Sequence, residues 1–283
     1  MQIGIRAHDM ERVPVEQLVK NIAEKGFKGT QLALSKAIYE VSTDTAAMTP
    51  GFALYLKRLF AKHDVDVSVL GCYLNLVDSD KDALDKVKDI YKAHIRFAAL
   101  LGCGMVGTET YAVNSPYASY PENRSEEALA EFIENLRDIV EYAEKMGVII
   151  AIEPVATHIV YDCKRARKVL DTINSPNLQI IFDPVNVIDK DNYTNQEEIL
   201  TEAFELLREE IACIHAKDFI VDYDGNIKSC ISGDGLLNYD LLMSLIRKNK
   251  PYIHVLLEET TPDNVMYAKD FVTDKYLGIR TKY

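Results

Sequence analysis

Eight times along this chain a short apolar run rich in β-branched residues gives way to a longer amphipathic stretch. This alternation constrains the fold more than any other feature, because strands separated by helices must pair in parallel through crossover connections. The expected strands cover residues 2–6, 29–34, 66–73, 105–109, 148–153, 178–183, 212–217 and 253–258. Helical periodicity is clearest over 15–25, 51–63, 83–101, 126–146, 164–173, 197–209 and 239–249. Pro14 suits a first helical turn, and Gly26, Gly102 and Gly147 each stand where a helix should stop before the next strand. Runs such as Val148-Ile149-Ile150-Ala151-Ile152 predict strands buried on both faces, as in a parallel sheet.

Roughly 35 residues per strand–helix unit is the spacing of a (β/α)8 TIM barrel. The 283 residues hold no Gly/Ser linker, low-complexity tract or charge block, so one α/β domain spanning 1–283 is expected. The rival is a doubly wound open sheet. It is disfavoured because no GxGxxG or GxxxxGK[ST] loop follows any strand.

A net charge of −12 argues against nucleic acid or an anionic membrane as the main partner, though a local Lys or Arg could still admit a small anion. No apolar run approaches the ~18 residues that span a bilayer, and the first residues enter a strand without a signal-peptide pattern. Cys72, Cys103, Cys163, Cys213 and Cys230 form no CxxC pair, which fits reduced thiols in a cytoplasm. Cys213 lies two residues before His215; a buried small strand residue is the preferred reading over a zinc pair.

Four consecutive strands end alike, in an apolar run followed by one metal-capable side chain: Ile152-Glu153-Pro154, Phe182-Asp183-Pro184, Ile214-His215-Ala216-Lys217-Asp218 and Leu257-Glu258-Glu259. In a barrel the C-terminal strand ends converge on one mouth. Three carboxylates desolvated together need a cation, and with an imidazole they suit one divalent ion: Mn²⁺, Mg²⁺, Co²⁺ or Zn²⁺.

These strand ends resemble, in order and spacing, those of the xylose isomerase-like TIM-barrel superfamily, in its sugar phosphate isomerase/epimerase branch. Gly233-Asp234-Gly235 and Gly71-Cys72-Tyr73-Leu74-Asn75 extend the likeness over essentially the whole chain. The resemblance implies that Glu153, Asp183, His215 and Glu258 coordinate one metal. It casts Glu153 and Glu258 as an acid/base pair acting on a keto sugar or related small carbohydrate through a metal-stabilised enediolate. Glu258 is preferred to Glu259 because the family aligns the first glutamate of that pair.

Candidates for holding substrate are His8 after the first strand, Tyr73 and Asn75 after the third, Glu109 at the end of the fourth, and His158, Asn186 and Lys217 beyond the ligands. His63, His94 and His254 read as structural or exposed. Two positions depart from the ketose 3-epimerase pattern: Asn186 stands where those enzymes usually carry His, and Val221 where they usually carry Arg. DNA-repair endonuclease relatives use several more His ligands than this chain supplies. The same enediolate could instead expel a leaving group, as in inosose or dehydroshikimate dehydratases or in elimination from a 3-keto glycoside. A non-catalytic carbohydrate-binding barrel is the reading from outside enzymology. The resemblance also allows a homo-oligomer.

Overall fold

The computed structural model describes residues 1–111 and 120–278. Eight parallel strands close a barrel: β1 (Gln2–Arg6), β2 (Gly29–Leu32), β3 (Asp66–Gly71), β4 (Met105–Glu109), β5 (Ile149–Glu153), β6 (Leu178–Phe182), β7 (Ile211–Ala216) and β10 (His254–Leu257). Each pairs with its sequence neighbour around the ring. Closure comes from β1 against β10, with Gln2 opposite His254 and Ile5 opposite Leu257. The expected strands are all present, and most stop one or two residues early. Asp183, Lys217 and Glu258 lie just beyond the ladder, whereas Glu109 and Glu153 stay in it and pair with each other.

A ring of helices covers the barrel: α1 (Val15–Glu24), α3 (Pro50–Lys62), α4 (Lys81–Leu101), α6 (Glu126–Met146), α7 (Cys163–Ile173), α8 (Gln196–Leu207), α9 (Tyr239–Asn249) and α10 (Val265–Leu277), with short α2 (Leu34–Ala37) and α5 (Tyr120–Asn123) in the connections. Local chemistry sets their ends. The side chains of Thr49, Asp80, Ser125, Asp162 and Asn238 each accept a backbone N–H from the first turn they precede. Gly102 and Gly147 close α4 and α6 at φ +85° and +65°, a conformation that suits a residue without Cβ.

Inside the barrel, Val69, Ala151, Ile181, Cys213 and Leu256 form an apolar layer. Gly107 belongs there too: a Cβ on it would stand 2.7 Å from both Ile181 and Val69. Cys213 is thus a packing residue facing the interior. This layer lies directly beneath the side chains at the mouth.

Beyond the short α2 and α5, a hairpin was not foreseen, and the last helix was expected only as room for one. An antiparallel hairpin, β8 (Asp218–Val221) and β9 (Ile227–Cys230), rises directly from the end of β7. The final helix α10 lacked clear periodicity, because its apolar residues are not confined to one stripe. Val265, Ala268, Phe271 and Val272 are buried, whereas Met266, Tyr267 and Leu277 are exposed.

Candidate metal centre and active site

The ends of β5, β6, β7 and β10 bring Glu153, Asp183, His215 and Glu258 together, with one ligand-capable atom from each lying within 4.8 Å of the others. Their exposures are 2, 0, 0 and 5 %, so four ionisable groups share a site removed from water. Such crowding demands positive charge. Two ligands on opposite sides of an ion with bonds of about 2.1–2.4 Å are about 4–5 Å apart, so this cluster has the span of a single-ion site.

His215 is oriented for coordination. Its Nε2 lies 2.7 Å from Gln31 Oε1, while Nδ1 faces Glu153 Oε1 at 3.2 Å and Glu258 Oε1 at 3.0 Å. If Nε2 carries the proton and donates it to Gln31, the ring is fixed with Nδ1 turned towards the carboxylates, as an outer partner fixes a metal-binding histidine. Asp183 uses Oδ1 to accept the N–H groups of Val185 and Asn186 at 2.8 and 3.3 Å. Its Oδ2 is buried and makes no hydrogen bond, although the Lys217 ammonium stands 3.0 Å away. Three buried carboxylates and an imidazole within the span of a single-ion site are a donor set that suits a divalent ion.

The charges hold one another in place. Burial alone would lower His215, but Glu153 and Glu258 raise its pKa to about 10. Burial would raise Glu258, but His215, Lys217 and Arg6 keep it well below the usual carboxylate range. Lys217 bridges Asp183 and Glu258 at 3.0 and 3.1 Å, and those two carboxylates raise its pKa against burial. Asp183 is pushed up to about 6 by burial, despite Lys217.

A cavity of about 230 Å³ opens above the cluster, lined by Arg6, His8, Gln31, Lys36, Tyr73, Glu109, Tyr111, Val155, Asn186, Lys217, Glu258 and Glu259. Five of the seven expected substrate-holding residues therefore face it: His8, Tyr73, Glu109, Asn186 and Lys217. His8 arrives on a single 3-10 turn, Ala7–Asp9, that follows β1. Burial by itself takes Glu109 towards the neutral acid, and Glu153 and Glu258 take it further, to about 7. Asn186 donates to Glu153 Oε1 at 2.7 Å. Lys217 pairs with Asp183 and Glu258 and leaves Asp218 to the hairpin. Asp218 there accepts N–H groups from Phe219, Gly233 and Leu237. A Cβ on Gly235 would lie 2.3 Å from that carboxylate, which is why the Gly233-Asp234-Gly235 turn needs its last glycine.

Two expected contacts fall elsewhere. Asn75 folds back on its own turn, donating to Val77 O and accepting from Val77 N, and does not line the cavity. His158 stands behind the wall. It accepts from Tyr111 N at 3.2 Å, stacks on the Tyr111 ring, and lies 3.8 Å from Glu109. Val221 sits in the hairpin opposite Ile227. Glu259 is exposed at the rim with φ +56°, so the chain turns sharply just after Glu258.

Arg6, Gln31, Lys36 and Tyr111 went unrecognised as cavity residues. Arg6 meets Glu258 at 3.2 Å and Asp9 at 2.9 Å. Gln31 also donates to the Tyr73 hydroxyl. The available signal was positional: Arg6 ends β1, Gln31 is the penultimate residue of β2, and Lys36 lies on α2 just beyond it.

Residues 19–273 match the family described as xylose isomerase-like TIM barrel, and the chain belongs to that family. A 3-oxo-isoapionate decarboxylase from Pectobacterium atrosepticum is 30% identical over 135 residues, which span 45% of each chain, about half the length of that curated relative. Among solved structures, a D-tagatose 3-epimerase-like protein superposes with TM-score 0.75 at 18% identity, covering 99% of this chain and 98% of the other. The IOLI protein with a binding zinc atom does so with TM-score 0.77 at 17% identity, covering all of both chains. Identities this low establish the shared fold. Among the described residues no helix is long and apolar enough to cross a membrane.

Proposed function

We propose that this protein is a divalent-metal-dependent isomerase or epimerase of a keto sugar or related small carbohydrate, with Glu153 and Glu258 as its proton-transfer pair. The observation that carries this reading is the approach of both carboxylates to His215 Nδ1, at 3.2 and 3.0 Å, from strands on opposite sides of β7. A substrate lying above the cluster would have a carboxylate available to two of its carbons or two of its faces. His215, Lys217 and Arg6 hold Glu258 ionised, the state from which it would act as the acceptor. Asn186 occupies one oxygen of Glu153 and so leaves the other to face substrate. Glu109 keeps its proton up to about pH 7 and can donate it to a sugar oxygen. A divalent ion bound by Glu153, Asp183, His215 and Glu258 would polarise the carbonyl and offset the charge of an enediolate.

A second reading is favoured by the stretch shared with the decarboxylase: loss of carbon dioxide or of a β-hydroxyl through the same kind of enolate. Profiling keto sugars, keto-inositols and keto sugar acids in deuterated buffer with Mn²⁺ separates the two. Isomerisation or epimerisation puts solvent deuterium on carbon and leaves the molecular formula otherwise intact. Release of carbon dioxide or water overturns it in favour of the second reading. Glu153→Gln and Glu258→Gln should each lower kcat by about 10²–10⁴. Unchanged turnover in both would remove them from the chemistry.

A further inference from the structure

We propose that the β1–β2 edge of the mouth binds an oxyanion on the substrate, a carboxylate or a phosphate, with Lys36 as its counter-ion and His8 as a hydrogen-bond partner. This rests on the reading above, that a carbohydrate occupies this cavity. Three cations line the cavity, and two are already matched. Arg6 is held by Asp9 and Glu258, and Lys217 by Asp183 and Glu258. Lys36 differs: among the described residues no carboxylate lies within 4.0 Å of its ammonium, which rests over the Tyr73 ring at 5.5 Å. Beside it, His8 Nδ1 is buried and has no hydrogen-bond partner. Burial, together with the fields of Arg6 and Lys36, keeps the His8 ring neutral down to about pH 4, so it can donate from one nitrogen and accept at the other.

The β4–β10 side of the mouth suits an anion less well. Glu153, Asp183 and Glu258 crowd it, and its cation Lys217 is already held by two of them. A substrate whose carbonyl end approaches those ligands therefore directs its far end to β1 and β2. Lys36 also stands on the wall between this cavity and a neighbouring one of about 340 Å³ that it shares with Tyr73, so an anion there keeps partial access to water. That makes it an inexpensive place to hold a charge.

The test uses three sugars alike except at carbon six: D-glucose, D-glucuronate and D-glucose 6-phosphate. Each is titrated calorimetrically into the full chain supplemented with Mn²⁺. At least one charged sugar should bind about tenfold more tightly than glucose, and which one does so identifies the oxyanion. Lys36→Gln should bring that sugar to the affinity of glucose without changing glucose itself, and Lys36→Arg should retain most of the preference. The inference is overturned if neither charged sugar is preferred, if neither binds measurably, or if the preference survives Lys36→Gln. Mn²⁺ affinity, measured alone, should be the same in Lys36→Gln and the unaltered protein. Failure of Mn²⁺ to bind would overturn the proposed function while leaving the charge preference to be judged separately.

Discussion

The two ends of this barrel are built on opposite principles. At the floor, where β1, β3 and β10 begin, the polar contact is a neutral pair: Ser68 Oγ and His254 Nδ1 at 3.1 Å, with burial lowering the histidine pKa. At the mouth, Glu153, Asp183, His215, Lys217 and Glu258 are all buried and all ionisable. The apolar layer of Val69, Ala151, Ile181, Cys213 and Leu256 separates them. Strands of this length, about 15–20 Å, let one end be optimised for packing while the other concentrates charge. Buried charge of this kind stabilises a fold poorly, so its presence makes the mouth the candidate functional end. The neutral floor marks the end that serves stability.

The sharpest way to break this contrast is through His215. Its pKa is raised from 6.5 to about 10 by Glu153 and Glu258, against the effect of burial. The stabilisation this gives the ion-free protein is complete below about pH 6.5 and disappears as pH rises through about 10. A metal ion competes with the proton for Nδ1, so ion affinity should rise with pH, by up to tenfold per unit across that window. Between pH 7 and pH 9 the Mn²⁺ dissociation constant should fall by about 100-fold, with close to one proton released per ion. Calorimetry in buffers of different ionisation enthalpy measures both. A flat profile would mean that the imidazole is already neutral and that the mouth is less charged than its geometry indicates.

Lys217 carries the next largest effect. Its ammonium serves Asp183 and Glu258 directly, so it opposes an arriving cation while supporting the same carboxylates in the cation's absence. Lys217→Met should therefore lower the melting temperature without metal and tighten Mn²⁺ binding by about tenfold, a coupling of about 1.4 kcal/mol. Added Mn²⁺ should then restore stability more in the variant than in the unaltered protein. Equal losses of stability with and without Mn²⁺, at unchanged affinity, would show that Lys217 only packs the mouth.

The mouth was more legible in the sequence for its anions than for its donors. Glu153, Asp183, His215 and Glu258 each interrupt an apolar run at the point where a parallel strand must end, so fold and site announce themselves together. Arg6, Gln31 and Lys36 carry no such mark. Gln31 is a polar residue within a short strand, and alternation alone would place it on either face; only closure of the barrel puts it against His215. Asn75 shows the opposite case. Its position after β3 suggested a substrate contact, but an asparagine two residues before a free N–H can satisfy itself locally, and it does so at Val77. Lys217 was legible as a cation near the mouth. Its partners were not, because they come from β6 and β10, distant in sequence and adjacent only once the sheet has curled.

At the floor the expected effect is smaller and of a different kind. Ser68→Ala removes the hydroxyl that meets His254 Nδ1, in a position where Gly29 leaves the two side chains room: a Cβ there would stand 2.5 Å from Ser68 Oγ and 2.9 Å from the ring. Both residues are only partly buried, so water can reach the nitrogen left behind, and the loss should be that of one ordinary hydrogen bond, about 1 kcal/mol. In a domain of this size that lowers the melting temperature by about 2–4 °C. Because the apolar layer stands between the two ends and they share no hydrogen-bond partners, the Mn²⁺ affinity of Ser68→Ala should match that of the unaltered protein, and its effect should add to that of Lys217→Met. A change in Mn²⁺ affinity of more than about twofold would mean that the interior layer transmits strain to His215 through β7 and β10. The division of labour between floor and mouth would then give way to a single coupled barrel.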